Sequence, residues 1–283
     1  MGGRPGPVLV TGANSGIGLV STLRFASRGW ETWGTVRSSA KAEMLAAAAS
    51  TAGVADRVHP VVLDVSDHGA VVDHWSELPG FYAVVNNAGY SELGAVEEVS
   101  AADVRRQLDV NLIAPAVVSS CALPAMRERG SGRIVMISSI AGRAAILPLN
   151  GWYHASKFGL EALSDVLRME VASFGVRVSV IEPGFFKTEI EQRAKDKAAE
   201  RELVSGSHYR RAYARMQQVT DLVTSLAPAP GIVARTVVSA VESSRPRQRY
   251  LVGVDALGIA ATNPLVPRQV SDTLARLVAD LRR

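Results

Sequence analysis

Pro7-Val8-Leu9-Val10-Thr11-Gly12-Ala13-Asn14-Ser15-Gly16-Ile17-Gly18 decides how the rest of the chain is read. An apolar run passes directly into a glycine-studded loop, and the loop opens a stretch of helical pattern. Buried parallel strands read as continuous Val/Ile/Leu runs, and this one does. Glycines in such a loop allow a tight turn, let the backbone approach a phosphate and let the helix pack closely on the sheet. The helix N-terminus adds unpaired N–H donors suited to an anion. Gly12, Ser15, Ile17 and Gly18 are therefore the candidate phosphate-loop residues, at the spacing GxxxGxG rather than the commoner GxGxxG. A purely structural βα turn is the plainer alternative.

The same strand-then-helix alternation continues over roughly the first 190 residues. Strands are expected at Pro7–Thr11, Glu31–Arg37, Val58–Val65, Tyr82–Asn86, Arg133–Ser138 and Val176–Glu182, with a last one at Arg249–Val254. Helical stretches include Ala40–Ser50 and the longer Ala101–Glu128. The pattern predicts an α/β chain: one doubly wound parallel sheet of about seven strands, helices on both faces, and a helical C-terminal extension.

Composition bounds the function. The 283 residues, 47% hydrophobic and 20% charged, suit one large globular domain. A net charge of +4 without a basic stripe interleaved with aromatics argues against nucleic-acid binding. The densest basic run, Arg245, Arg247 and Arg249, reads as a solvated turn. A lone cysteine, Cys121, excludes an internal disulfide and suits a reducing compartment. No run of about 18 apolar residues and no room for a signal peptide point to a cytoplasmic protein. The five histidines lack ligand spacing, so no metal is expected.

Several strand ends offer polar groups to one edge of the sheet. Trp33-Gly34-Thr35-Val36-Arg37 lacks the acidic residue that would hold a ribose 2′-hydroxyl and offers Arg37 instead, which favours a 2′-phosphate and hence NADP over NAD. Asp64 and Val65 close the third strand, where an adenine edge would lie. Asn87, Ala88 and Gly89 form a small-residue turn against which a ribose can rest. Asn111 stands in an otherwise apolar helix, a setting that disfavours Asn and marks a local distortion able to free a carbonyl for water. Ser139 follows the fifth strand, where its hydroxyl can reach a carbonyl oxygen. Pro183, Gly184 and Thr188 end the sixth strand with groups that can hold a carboxamide.

Tyr153-His154-Ala155-Ser156-Lys157 places a phenol and an ammonium one helical turn apart. A phenol of pKa near 10 is a poor proton shuttle at neutral pH. A unit charge about 4 Å away can favour the phenolate by roughly 4 kcal/mol in a partly screened site, which makes Tyr153 a candidate acid/base.

Taken in order, the TGxxxGxG loop, the NNAG turn, the helical Asn, the ISS strand end, YxxxK and PGxxxT resemble the short-chain dehydrogenase/reductase superfamily from Pro7 to about Thr188. The string around Tyr153, through Phe158–Met169, is similar to the retinol and 17β-hydroxysteroid dehydrogenase-like branch and its bacterial relatives. The resemblance implies a Rossmann-like domain with its cofactor-binding and catalytic core at residues 7–188. It assigns Tyr153 as acid/base, Ser139 as orienter of the substrate oxygen, Lys157 as partner of the phenol and the nicotinamide ribose, and Asn111 as holder of a relay water. The Ser139-to-Tyr153 interval is one residue longer than the family pattern, an insertion for the intervening loop to absorb.

The implied activity is hydride transfer between NADP(H), with NAD(H) as the alternative, and an apolar secondary alcohol or ketone. Ala144–Leu149 with Phe185 and Phe186 would form an apolar wall. Residues 189–226 would form a lid, and the 253–283 tail, with Val270, Leu274, Leu277 and Leu281 at helical spacing, would pack on the domain, on a subunit or less readily on a membrane surface. The family also implies a homodimer or homotetramer. A cofactor-binding regulator without turnover is the competing reading, and intact Ser139, Tyr153 and Lys157 argue against it.

Overall fold

A computed structural model describes residues 6–187, 196 and 206–281. The sheet has seven parallel strands in the order β3-β2-β1-β4-β5-β6-β7. They are β1 (Val8–Thr11), β2 (Thr32–Val36), β3 (Val58–Val62), β4 (Ala83–Asn86), β5 (Gly132–Ile137), β6 (Val176–Pro183) and β7 (Arg249–Val252). The doubly wound reading holds, and its strand positions hold to within a few residues. The third strand is shorter than expected: after Val62 only Leu63 N still bonds across, to Val36 O, and Asp64 turns back on Ser66.

The central strands are buried on both sides because helices cover both faces. Alternate residues serve opposite cores: Val8, Val10, Val85 and Val135 pack with Phe25, Trp30, Val233 and Val237, whereas Leu9, Val84, Ile134 and Met136 pack with Val118, Met126 and Leu160. The first set is covered by α1 (Gly16–Ser27) and α8 (Gly231–Glu242), the second chiefly by α5 (Ala114–Arg129) and α6 (Gly151–Val171). Burying each such Val, Leu or Phe contributes about 1.5–3 kcal/mol.

Local chemistry sets the boundaries of the other helices. α2 (Ser39–Thr51) follows β2, α3 (His68–His74) is capped by Asp67 accepting from Ala70 N, and α4 (Ala101–Leu108) is capped by Ser100 accepting from Asp103 N. α5 stops at Gly130, whose φ of +68° is the left-handed conformation a helix end requires. The long helix expected over 101–128 is interrupted: Asp109–Ile113 forms a π turn between α4 and α5. The stretch Ala101–Arg129 is long and apolar enough to cross a membrane, and its face of Ala114, Val118, Ala122 and Met126 is buried on the sheet.

α7 (Arg210–Leu226) precedes α8, and the C-terminal region forms α9 (Val254–Thr262) and α10 (Arg268–Val278). Arg249 departs from the solvated-turn expectation: it lies in β7 and pairs with Glu161, Asp165 and Glu182.

Candidate active site

Strand order reverses between β1 and β4, so the loops after these strands diverge and leave a crevice at the carboxyl edge of the sheet. A cleft of about 770 Å³ opens there. Its lining includes Gly12, Ser15, Ile17, Arg37, Asp64, Val65, Asn87, Ala88, Gly89, Ser139, Tyr153, Lys157, Pro183 and Gly184. Residues scattered over more than 170 positions thus meet in one place because every strand of the sheet runs the same way.

The glycine loop is closed by backbone proximity. Gly12 has φ +66°, and a Cβ on it would stand 3.0 Å from Ala88 Cα. Gly18 does not line the cleft; a Cβ there would lie 2.3 Å from Gly12 O and 2.5 Å from Asn87 Nδ2, so it is the close-packing glycine beneath the loop. Ser15 precedes α1 without capping it, which leaves first-turn N–H groups available to an anion. Thr11 Oγ1 accepts from both Asn87 N and Ala88 N at 2.9 Å, and Asn87 Nδ2 returns a bond to Thr11 O at 2.9 Å. The two turns are cross-braced at the switch point.

At the far end, Arg37 is exposed on the cleft wall with Lys41 on the first turn of α2. Lys41 escaped the sequence reading; its position two residues into the helix that follows Arg37 was the available signal. Asp64 Oδ1 accepts from Ser66 N at 3.0 Å and from Ser66 Oγ at 2.8 Å, which fixes the carboxylate beside Val65.

At the near end, α6 carries Tyr153 and Lys157 on one face, with Nζ 5.8 Å from the phenol ring centre. Lys157 is 4% exposed and donates to Ile137 O at 2.9 Å. Burial pushes its ammonium down to about 8, and the charge of Glu161 partly opposes this. Ser139 Oγ accepts from Ala141 N at 3.1 Å and so caps the short turn Ile140–Gly142. His154 Nδ1 lies 2.8 Å from Ala141 O, so the ring carries its proton there; burial holds the imidazole below its ordinary range and hence neutral. The extra residue between Ser139 and Tyr153 is absorbed by a loop that turns through Leu149 at φ +62°, whose carbonyl accepts from Gly94 N at 2.7 Å.

Asn111 sits inside the π turn, outside the cleft lining. Its Nδ2 donates to Tyr90 O at 2.8 Å and to Ser156 Oγ at 3.1 Å, and its Oδ1 accepts from Tyr90 N at 3.0 Å. The side chain thereby ties the turn after β4 to α6, one residue from Lys157. Asn111→Leu takes this partner from Tyr90 N, while Tyr90 O still accepts from Gln107 Nε2 at 3.2 Å, and a loss of about 1–3 kcal/mol is expected in urea unfolding, the usual cost of one unsatisfied group.

The apolar wall is built from Ile146, Leu147, Phe185 and Phe186 together with Met216, Val219 and Val223 of α7. Ala144 and Leu149, expected on that wall, are buried in the protein interior instead. Thr188, and the first part of the expected lid to residue 205 apart from Asp196, lie outside the described residues. The second part, α7, does border the cleft. In the tail, α9 and α10 expose Leu257, Val270, Leu274 and Leu277.

A parallel doubly wound sheet with a glycine loop at its switch point and a Ser, Tyr and Lys gathered beside it defines a dinucleotide-binding oxidoreductase architecture. The chain belongs to the short-chain dehydrogenase family, whose pattern it matches over residues 7–199. It is 34% identical to human retinol dehydrogenase 5, over 88% of this chain and 81% of that protein. It is 31% identical to the probable short-chain type dehydrogenase/reductase VdlC of Helicobacter pylori, over 95% of this chain and 96% of that one. Among solved structures, a short-chain dehydrogenase from Streptomyces avermitilis superimposes with a TM-score of 0.77 at 28% identity, covering 98% of this chain and 97% of that one. The closed form of serine dehydrogenase complexed with NADP+ gives 0.73 at 25% identity, covering 87% and 93%.

Proposed function

We propose that the protein transfers hydride between NADP(H) and an apolar secondary alcohol or the matching ketone, with Tyr153 as acid/base. The observation that carries this reading is the meeting of Ser139, Tyr153 and Lys157 at one end of a cleft whose other end presents Arg37. The residues fit a dinucleotide: a backbone cradle at Gly12 that a Cβ would fill, uncapped donors at α1, and a length of cleft joining both to Lys157. When bound, the nicotinamide supplies or accepts the hydride.

The chain's own residues handle the oxygen. As a carbonyl is reduced, negative charge grows on its oxygen, and hydroxyls of Tyr153 and Ser139 placed there act mainly in the transition state. Tyr153 then gives up its proton, and with Lys157 Nζ 5.8 Å from the ring centre the phenolate is favoured by an amount on the order of 3 kcal/mol at an effective dielectric near 20. Ser139, its lone pair engaged by Ala141 N, keeps its own O–H free to point at substrate. Ile146, Leu147, Met216, Val219 and Val223 favour an apolar body around the reacting carbon and exclude water from it.

Cofactor choice rests on Arg37 and Lys41 at the adenosine end. Arg37→Asp is expected to reverse the preference, lowering kcat/KM with NADPH by about 100-fold relative to NADH, since it replaces a charge-assisted partner of the phosphate by a like charge. Initial rates on a panel of steroid, retinoid and aliphatic carbonyls with each cofactor test both parts. No hydride transfer to any of them alongside tight NADPH binding would overturn the catalytic reading.

A further inference from the structure

The segment that leaves β6 forms part of the cleft wall, through Pro183, Gly184, Phe185 and Phe186, and it is held from behind. Three of its backbone N–H groups are engaged by residues far along the chain. Gly184 N donates to Val252 O at 2.9 Å, Phe185 N to Asp255 Oδ2 at 2.6 Å, and Lys187 N to Pro228 O at 3.0 Å. The first and last acceptors are backbone carbonyls, which any residue supplies. The middle one is a side chain, and a bond to an ionised acceptor is the strong kind. Asp255 is the second residue of α9 and is not itself part of the cleft lining. An acid in a first helical turn is ordinarily accounted for by the helix dipole. This one also reaches out to an amide 70 residues earlier.

Two glycines make room for that reach. A Cβ on Gly184 would stand 2.2 Å from both Asp255 oxygens, so the carboxylate lies flat against the Gly184 backbone. A Cβ on Gly253 would stand 2.4 Å from Asp255 Oδ1, and its φ of +111° suits glycine where the chain turns from β7 into α9. Phe186, 2% exposed, is set in the core with Val233, Val237 and Val252, next to the latched amide of Phe185.

We infer that Asp255 is a positioning residue for the proposed hydride transfer: its carboxylate fixes the Gly184–Phe185 backbone, the part of the cleft assigned to the nicotinamide carboxamide. The C-terminal helices are thereby joined to the site. Without the latch, the Gly184 bond to Val252 O and the buried Phe186 ring still hold the segment in place. What is lost is precision, and reacting atoms misplaced by about 1 Å cost on the order of 100-fold in rate.

The rate tests rest on the hydride-transfer reading; a further test does not. Asp255→Ala should lower kcat for NADPH-dependent reduction by up to about 100-fold, with KM for NADPH changed by less than about threefold. Asp255→Asn keeps an acceptor oxygen for Phe185 N and should return kcat to within about fivefold of the parent. Rates are taken per NADPH-binding molecule well below the unfolding temperature, where a merely structural role leaves them at the parent's value. Gly184→Ala aims its Cβ at the carboxylate and should slow reduction as Asp255→Ala does, while the double variant should be no slower than either single. A parental kcat in Asp255→Ala, an Asn variant as slow as the Ala variant, or fully additive losses each overturn the inference. Independently of turnover, amide hydrogen exchange followed by NMR on the full chain should be at least about tenfold faster at Phe185 in Asp255→Ala than in the parent, and slow again in Asp255→Asn. Equal exchange in parent and Ala variant overturns the latch whether or not any carbonyl is reduced. The expected exchange pattern in a parent that reduces nothing upholds the latch and overturns the enzymatic reading alone.

Discussion

Tyr153→Phe lowers kcat for carbonyl reduction by about 10²–10⁴-fold while NADPH affinity stays within about twofold of the parent, as expected when a single general acid is removed. Phenylalanine keeps the ring that packs beside Lys157 and deletes only the hydroxyl, so folding and cofactor binding have little reason to change. Ser139 keeps its bond from Ala141 N and Lys157 keeps its bond to Ile137 O, so the variant isolates the loss of the Tyr153 hydroxyl. Single-turnover hydride transfer, followed at the NADPH absorbance, separates the chemical step from product release. A Phe variant as fast as the parent would remove Tyr153 from the mechanism.

Gly18→Ala is expected to abolish measurable NADPH binding and to lower stability by about 1–3 kcal/mol, the usual range for overpacking a tight interior. The added Cβ would stand 2.3 Å from Gly12 O and 2.5 Å from Asn87 Nδ2. One of these is backbone and the other holds Thr11 O, so neither yields without shifting the loop or opening the brace between β1 and β4. Fluorescence titration with NADPH and thermal unfolding of the same sample check the two parts. An alanine variant that binds as the parent does would mean that the loop relaxes at no cost. The same substitution at Gly29 or Gly53 meets open space, although their positive φ values carry a backbone penalty.

Legibility followed the range of the interaction. The strand–loop–helix unit at Pro7–Gly18 and the i,i+4 relation of Tyr153 to Lys157 are local, and both stand as expected. Asn111 was visible as a misfit in an apolar helix, and the π turn there is the distortion such a misfit implies. Its partners, Tyr90 and Ser156, lie 21 and 45 residues away and left no mark in sequence. Arg249 misled for the same reason. Beside Arg245 and Arg247 it reads as surface, whereas parallel pairing of β7 to β6 turns it onto Glu161, Asp165 and Glu182.

Apolar periodicity and the ordered motifs by themselves determined the doubly wound sheet, the glycine loop after its first strand and the pairing of Tyr153 with Lys157 as the candidate acid/base and its partner, because each depends on neighbours within a turn or a strand. Only the tertiary structure decided which serine and tyrosine could share a cleft across an enlarged loop, which residues of α7 wall it, and that Arg249 gathers Glu161 and Glu182 in the interior. Those are juxtapositions of separate elements, and burial, which pushes the Glu182 carboxyl up and the Lys157 ammonium down from their ordinary ranges, belongs to the packed chain alone.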